Sequence, residues 1–250
     1  MLSKLHAKRL DGGTKPADTG PHALQSLDDL AETAEWRRGQ EICGQDRPAD
    51  TWFRLISGAA RRSVVRIDGR RQIVDLLLPG DVFGFSAAPE YDYAVEAVAE
   101  GTRTACYPRR RVEHLADADP RLARELRELA FAAISRLQAQ LVLIGRVTAR
   151  EKVGSFLVEL GSRLTNSHSD RVELPISRYD IADYLALSVE TVSRSLTELK
   201  QRGLIRFVGT RQIKIVDRAA LEDGMFDEHG CGRHLPARAA AARPPVRAAA

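Results

Sequence analysis

The chain is 250 residues long, 44% hydrophobic and 29% charged, and carries a formal net charge of +4. These values are ordinary for a soluble globular protein of one or two domains, and the mild positive charge permits nucleic-acid binding without requiring it. Apolar runs are far shorter than the roughly 20 residues that span a bilayer, and the N-terminal residues do not lead into the apolar core of a signal peptide. We therefore expect a cytoplasmic protein with no membrane partner.

The two ends of the chain differ in composition from its middle. Residues 1–24 are rich in Gly, Pro, Asp and Lys, and residues 225–250 run into Arg, Pro and Ala. Segments of this kind bury too little apolar surface to offset the entropy of ordering. We predict a disordered N-terminal arm and a disordered C-terminal tail.

Residues 25–117 are predicted to form a β-rich domain. Between Trp36 and Tyr107, short alternating runs are broken by turns that contain Gly, Pro and Asp. Several short strands with regular turns are typical of a β-roll or small jelly-roll barrel. The predicted strands cover residues 40–43, 51–56, 60–67, 72–78 and 93–98.

A long helix is predicted within residues 118–147, because the apolar period becomes helical after Pro120 and continues to Gly145. So long a stripe needs a partner, which is either the chain's own barrel or a second copy. We favour the second copy, and therefore a homodimer. The predicted interface consists of Leu122, Leu126, Leu129, Ala133, Leu137, Gln140 and Ile144.

The segment 148–224 is predicted to be a DNA-binding domain, joined to the long helix by a further helix over about residues 149–164. Ser177 and Asp180 resemble a capping box for a first short helix, Ser188 can cap a second, and Gly203 can end it. Two short helices joined by a tight turn are typical of a helix-turn-helix. The predicted seam between them consists of Ile181, Leu185, Leu187, Val192, Leu196 and Leu199.

Three polar residues on the outer face of the second helix are the candidate base-contacting residues: Glu190, Ser193 and Arg194. Arginine can pair with guanine O6 and N7 through two hydrogen bonds, glutamate can accept from cytosine N4, and serine can serve several bases. The alternative is a solvated helix face that reads nothing, since a glutamate near a helix N-terminus is also ordinary dipole chemistry.

A β-hairpin is predicted after Gly203, with alternating strands 204–208 and 211–216 around a two-residue turn. Such a wing would carry cations that suit phosphates, and phosphate contacts fix register without reading sequence. The candidate backbone-contacting residues are Ser188, Thr191, Arg178, Lys200, Arg206, Arg211 and Lys214.

The run from Tyr179 to Arg194 resembles the Crp/Fnr superfamily of bacterial transcription regulators, in its Fnr/FixK branch. That branch carries Glu, Ser and Arg spaced as Glu190, Ser193 and Arg194 are here, whereas the cyclic-AMP receptor branch usually differs at the places of Val189 and Ser193. Residues 78–84 also resemble the sensor-barrel motif of the superfamily. The resemblance implies an α+β fold with an N-terminal β-roll of the cyclic-nucleotide-binding type, a dimerisation helix and a C-terminal winged helix-turn-helix.

The same resemblance implies a function. It implies a homodimer that binds double-stranded DNA at palindromic TTGA-N6-TCAA-like operators and acts mainly as an activator that contacts RNA polymerase. Within the FixK group it implies control of genes for low-oxygen respiration and nitrogen fixation, without a small-molecule effector.

No cofactor is expected. Where cyclic-AMP-binding relatives have a ribose-binding Glu and a phosphate-binding Arg-Ser pair, this chain has Phe85 and roughly Asp92-Tyr93, and an aspartate would repel a cyclic phosphate. The three cysteines, Cys43, Cys106 and Cys231, are too far apart to hold an iron–sulfur cluster, and Cys43 and Cys106 are expected in the core. A ligand-gated Crp-type regulator, controlled by a cyclic nucleotide or by haem, stays open as an alternative.

An enzyme is not expected. The six histidines are scattered rather than clustered with carboxylates as a metal centre requires, and nothing orients Cys106 and His114 as nucleophile and base. A second non-enzymatic alternative is a winged helix that binds another protein instead of DNA.

Overall fold

The computed structural model describes residues 8–9, 27, 30–67, 69, 71–164 and 170–223. A β-roll is followed by three helices and then by a winged helix-turn-helix. The predicted α+β fold class is therefore confirmed.

Nine strands build the roll, and all of their pairings are antiparallel. One sheet has the order β1-β2-β9-β4-β7 and the other the order β3-β8-β5-β6. All five predicted strands are present, whereas β1, β2, β7 and β9 were not predicted. The strands are β1 (Lys8–Arg9), β2 (Glu32–Trp36), β3 (Glu41–Cys43), β4 (Thr51–Ser57), β5 (Ala60–Val65), β6 (Arg71–Leu77), β7 (Val82–Phe83), β8 (Ala94–Ala97) and β9 (Thr102–Pro108).

Alternation along the strands fills the interior of the roll. In β4, for example, Phe53 and Leu55 are buried while the residues between them are half-exposed. The Trp36 indole is buried and donates to the Thr104 hydroxyl at 2.9 Å, so its polar atom is satisfied. Cys43 and Cys106 are buried in this core, as expected, and burial raises the pKa of the Cys43 thiol to about 12. Cys231 lies outside the described residues.

The predicted disordered arm contains one short strand. Lys8 and Arg9 pair with Glu35 and Ala34 at the edge of the first sheet. The arm is thus ordered at this point, which the prediction missed because a two-residue strand has no readable period. The rest of residues 1–24 and the predicted tail 225–250 lie outside the described residues.

Three helices follow the roll: α1 (Arg109–Ala118), α2 (Pro120–Ile144) and α3 (Ala149–Leu164). Asp119 caps α2 by accepting from the Arg121 backbone N–H at 2.8 Å, and Pro120 stands at the first helical position, where its missing N–H costs nothing. The bounds of α2 and α3 agree with the prediction. Helix α1 was not predicted.

The C-terminal part contains α4 (Arg178–Leu185), α5 (Val189–Gln201), α6 (Arg218–Asp223) and a sheet with the strand order β10-β12-β11. The sheet consists of β10 (Arg171–Glu173), β11 (Ile205–Phe207) and β12 (Gln212–Ile215). The predicted two-residue turn of the wing is instead a four-residue connection over 208–211, still bridged by a hydrogen bond from the Val208 N–H to the Gln212 carbonyl at 2.9 Å. Strand β10 extends the predicted hairpin to three strands.

A single apolar core joins the roll to the C-terminal part. Ile73 and Leu76 of β6 belong to the same buried cluster as Phe156 of α3 and Ile181 of α4. The helix-turn-helix is therefore packed against the roll through this shared cluster, while the interior of the roll keeps a separate core of its own.

Gly84 tests the close packing of the roll. Its φ is +98°, and a Cβ would lie 2.6 Å from the Thr51 carbonyl oxygen. We expect Gly84→Ala to lower the free energy of unfolding by about 2–4 kcal/mol, because backbone strain and a backbone clash add. Urea denaturation followed by circular dichroism measures the change.

Gly69→Ala is the matched control. Its φ of +77° gives similar strain, but no described atom lies within 4 Å of its Cβ position. The expected loss is about 1 kcal/mol. Equal losses for the two variants would contradict the assigned clash.

Candidate nucleic-acid interface

The two helices of the helix-turn-helix begin at the predicted caps. The Ser177 hydroxyl accepts from the Asp180 N–H at 3.2 Å, and the Asp180 carboxylate accepts from the Ser177 N–H at 3.1 Å, which completes a capping box. Ser188 accepts from the Thr191 N–H at 3.1 Å. Gly203, with φ +76°, follows α5 in the left-handed conformation that favours glycine.

The seam between α4 and α5 is buried as predicted, with Leu187 only partly buried at its edge. Because α5 turns about 100° per residue, burial of Val192, Leu196 and Leu199 directs the residues between them outward. The outward face of α5 is therefore fixed by its core side.

The structure brings the three candidate base-contacting residues onto that outward face. Glu190 and Arg194 are exposed, one helical turn apart. Ser193 is half-buried, and its hydroxyl accepts from the Arg178 guanidinium of α4 at 3.3 Å. Two hydrogen bonds lower the pKa of the Glu190 carboxyl, one from its own backbone N–H and one from the Ser188 hydroxyl, and attraction to Arg194 lowers it further. The carboxylate is therefore ionised at neutral pH. An acceptor and a guanidinium donor thus stand side by side in solvent.

Most candidate backbone-contacting residues are also exposed. The cations Arg178, Lys200, Arg206, Arg211 and Lys214 face solvent. Ser188 is exposed and Thr191 half-buried, and their hydroxyls lie 2.9 Å apart at the start of α5. These side chains belong to α4, α5 and the wing, so they come from segments that precede and follow the base-contacting candidates along the chain.

Arg171 is a cation that the sequence analysis missed. It stands opposite Lys214 in the β10–β12 pairing, and Lys214 stands opposite Arg206 in the β12–β11 pairing. All three are exposed, so a row of three cations crosses the wing sheet. A row of exposed positive charge of this kind suits the phosphates of a polyanion. Only the strand register reveals the row, since β10 is too short to show a period.

The long helix carries the residues of the predicted dimer interface, and several of them face the chain's own roll. Leu122 is buried against the chain's own roll, and Leu126 and Leu129 pack against the same cluster. Gln140 is buried, Ala133 and Ile144 are half-buried, and only Leu137 is exposed. The predicted stripe is therefore largely the side by which α2 covers its own barrel, which was the alternative considered from the sequence.

A second apolar stripe lies about a third of a turn around α2. Its side chains are exposed, with Phe131 at 58% and Leu141 at 71% of full exposure. The stripe, hereafter the α2 outer stripe, consists of Phe131, Ile134, Leu137, Leu141 and Val142. So continuous an exposed apolar surface on one helix is unusual for a monomer.

Aromatic side chains lie on both sides of the roll wall near Phe85: Phe85 packs with the cluster that includes α1 and α2, whereas Tyr93 belongs to the roll interior. Phe85 packs edge-on against Trp52, with ring centroids 4.8 Å apart. The Tyr93 hydroxyl accepts from the Gly84 N–H at 3.0 Å and donates to the Phe85 carbonyl at 3.2 Å, while the Arg62 guanidinium lies 4.6 Å from the Tyr93 ring centroid. Asp92 is exposed.

The structure does not bring together the described side chains that were considered for catalysis or metal binding. Cys106 is buried and contacts the Thr104 hydroxyl at 3.4 Å, whereas His114 is exposed on α1. Among the described residues, no three His, Cys, Asp or Glu side chains are grouped so that they could hold a metal ion. No helix in the described part of the chain has the length and apolar character needed to cross a membrane.

Comparison with known proteins agrees with this geometry. Residues 33–119 match the family of the cyclic nucleotide-binding domain, and residues 151–223 match the Crp-like helix-turn-helix domain. The nitrogen fixation regulation protein FixK of Azorhizobium caulinodans is 42% identical over 208 residues, which cover 82% of this chain and 84% of that protein. The FixK protein of Rhizobium meliloti is 39% identical, with 75% of this chain and 84% of that protein covered. The chain belongs to the Crp/Fnr family of transcription regulators.

A solved structure supports the same assignment. FixK2 from Bradyrhizobium japonicum superposes with a TM-score of 0.72 at 37% identity, covering 78% of this chain and 96% of that one. The chain is thus a Crp/Fnr-type DNA-binding regulator with FixK-like homologues, and the relatives named above are regulators rather than enzymes.

The cation row predicts a measurable salt effect. We expect Arg171→Gln to weaken binding to operator DNA and to reduce the slope of log affinity against log salt by about one per copy of the chain, because one phosphate contact is lost. Fluorescence anisotropy across a salt series measures the slope. Arg218→Gln, which removes an exposed arginine of α6, is the control, and an unchanged slope for Arg171→Gln would show that this residue touches no phosphate.

Proposed function

We propose that two copies of this chain bind a palindromic TTGA-N6-TCAA-like operator and act mainly as a transcription activator. The observation that carries the proposal is the outward face of α5, where Glu190, Ser193 and Arg194 have the spacing of the Fnr/FixK branch on a capped, solvent-facing helix. An α-helix of this kind fits the major groove of B-DNA.

Each of the three side chains has a matching base edge. Arg194 can donate two hydrogen bonds to guanine O6 and N7, and the ionised Glu190 can accept from cytosine N4. Ser193 can serve a neighbouring base, and its hydrogen bond to Arg178 orients the hydroxyl. Good pairs of this type discriminate against a wrong base by about 1–3 kcal/mol each.

Phosphate contacts supply affinity around these base contacts. We assign them to the wing row of Arg171, Lys214 and Arg206, to Arg211 in the wing connection, and to Arg178 and Lys200 at the ends of the helices. The hydroxyls of Ser188 and Thr191 add neutral donors at the start of α5. These contacts fix orientation and make binding steeply dependent on salt.

The homodimer forms through the α2 outer stripe. In this arrangement the stripe packs against its equivalent on the second copy, while the side of α2 that carries Leu122 stays on its own roll. A two-fold assembly matches the symmetry of a palindrome, and Leu137 is the one residue of the originally predicted interface that remains in it.

The physiological role follows from the relatives. Two of them carry the name nitrogen fixation regulation protein, so we propose control of genes for nitrogen fixation and low-oxygen respiration. An activator at such promoters works in the cytoplasm, where the chromosome lies, and has RNA polymerase as its second partner.

Activity without a small-molecule effector is part of the proposal. Its support is Tyr93, which is buried in the roll interior and whose hydroxyl bridges the main-chain groups of Gly84 and Phe85. Purified protein should therefore bind its operator without added nucleotide, and binding that required cyclic AMP would favour a ligand-gated regulator.

Arg194 gives the sharpest test of base reading. We expect Arg194→Ala to lose about 1–3 kcal/mol of binding free energy per half-site and to become indifferent to replacement of the half-site guanine, because the guanidinium and that base contact each other. Anisotropy titrations with wild-type and substituted duplexes give the coupling between the two changes.

Arg202→Ala is the matched control, since it removes an exposed arginine at the end of the same helix. It should retain full discrimination against the substituted operator. A winged helix that binds a protein instead would show no coupling for either variant.

The dimer has its own test. We expect Ile134→Glu combined with Leu141→Glu to give a monomer in analytical ultracentrifugation, because two charges cannot be buried unpaired in an apolar interface. Val65→Glu, at an exposed apolar position of the roll, should leave the dimer intact. A dimer that survived the double substitution would rule out the α2 outer stripe as the interface.

A further inference from the structure

Helix α4 is held on the roll by a group of polar side chains, hereafter the polar clamp. From the roll it contains Arg61 of β5, Arg71 and Gln72 of β6, and Glu96 of β8, and from α4 it contains Asp180 and Asp183. The Arg61 guanidinium pairs with the Asp180 carboxylate through one nitrogen and with Glu96 at 2.8 Å through another. Two strands and a helix are joined by this one side chain.

Arg71 and Gln72 extend the clamp along α4. The Arg71 guanidinium lies 3.4 Å from the Asp183 carboxylate and 3.7 Å from that of Asp180. The Gln72 amide donates to the backbone carbonyl of Asp183. The clamp thus grips α4 at an acidic side chain near its start and at the main chain near its end.

The central pair of the clamp is removed from water. The Arg61 side chain is 14% exposed and that of Asp180 6%. A buried ion pair adds little net stability, but loss of one partner leaves an uncompensated charge and is strongly unfavourable. Such a pair makes other orientations of the helix-turn-helix on the roll unfavourable, although it adds little to the stability of the chain.

Asp180 has two tasks at once. One carboxylate oxygen accepts from Arg61, and the other accepts from the Ser177 N–H at 3.1 Å and the Ser177 hydroxyl at 2.7 Å. The cap that starts the helix-turn-helix is therefore also the point at which it is attached to the roll.

A second junction links the roll to α2 and α3. Asp81 accepts from the Arg163 guanidinium of α3 at 2.6 Å and lies 3.4 Å from that of Arg136 of α2. Arg163 also donates to the Leu76 carbonyl at 2.8 Å. The long helix, the roll and the C-terminal part are connected through charged contacts on both sides of the shared apolar core.

The clamp leaves the reading face open. Glu190 and Arg194 on α5 are exposed, as are the wing cations, while the clamp occupies the side of α4 that carries Asp180 and Asp183. The docked arrangement is therefore compatible with DNA binding and does not cover the recognition helix.

We propose that Arg61, Arg71 and Gln72 are positioning residues for DNA reading, which fix the helix-turn-helix on the roll and thereby set the separation of the two recognition helices in the dimer. The inference rests on the proposed function, because it needs two half-sites. Since the rise of DNA is 3.4 Å per base pair, a tilt that moves each helix by a few Å mismatches the operator spacer. Residues of the β-roll would thus determine which spacer length the dimer prefers.

The experiment compares operators that differ only in spacer length. Duplexes carry two half-sites separated by four, six or eight base pairs, and a further duplex carries a single half-site. We expect the wild-type dimer to prefer one spacer, and Arg61→Gln combined with Arg71→Gln to lose about tenfold on that spacer, a value within the usual range for coupling between sites. Affinity for the single half-site should be unchanged.

Additional variants separate positioning from a general loss of structure. Gln72→Met removes the amide hydrogen bond to the Asp183 carbonyl of α4, together with a longer one of 3.2 Å to the Ile73 carbonyl, and leaves no unpaired charge, so it should fold and still weaken the spacer preference. Arg61→Lys keeps the charge beside Asp180 and should restore part of the preference lost in Arg61→Gln. Arg66→Gln, an exposed arginine of the same hairpin, should behave as wild type.

The outcomes are distinct. A flattened spacer profile with intact half-site affinity supports the proposal. An unchanged profile in both the double variant and Gln72→Met overturns it, and so does tighter binding, which would make the clamp inhibitory. Failure of the wild-type protein to prefer any palindrome over the single half-site would instead contradict the proposed function.

Discussion

Burial of the apolar side of α5 is the constraint on which the rest of the molecule depends. Val192, Leu196 and Leu199 can leave water only by packing against α4 and the core behind it, and the helical period then turns Glu190 and Arg194 outward. The outward orientation of these two side chains is thus a consequence of core packing. The caps at Ser177 and Ser188 fix the residues at which the two helices begin, and they thereby fix which residues of α5 lie on its outward face.

The same core gives the β-roll a role other than ligand binding. Ile73 and Leu76 of the roll share a cluster with the C-terminal helices. The polar clamp lies beside this contact, and its buried charges are better paired in this arrangement of the two parts than in others. The roll then connects α2, which would carry the dimer interface, to α5, which would face the DNA, and fixes their relative position.

Much of this could be predicted from sequence, where local signals decide. The capping residues, the seam of the helix-turn-helix and five strands of the roll follow from short-range chemistry and were confirmed. The dimer interface was not predictable in the same way, because α2 has two apolar stripes, and only the packing of Leu122 on the roll shows which one is already used. Arg171 and the contacts of Arg61 depend on strand register and on tertiary contacts more than 100 residues apart in sequence, such as that of Arg61 with Asp180.

A crystal structure of the dimer on a palindromic duplex tests the central claim most directly. It should show α5 in the major groove of each half-site, with the Arg194 guanidinium within hydrogen-bonding distance of guanine O6 and N7 and the Glu190 carboxylate beside a cytosine amine. A complex in which α5 lies outside the groove, or in which Arg194 contacts only phosphates, would contradict the account.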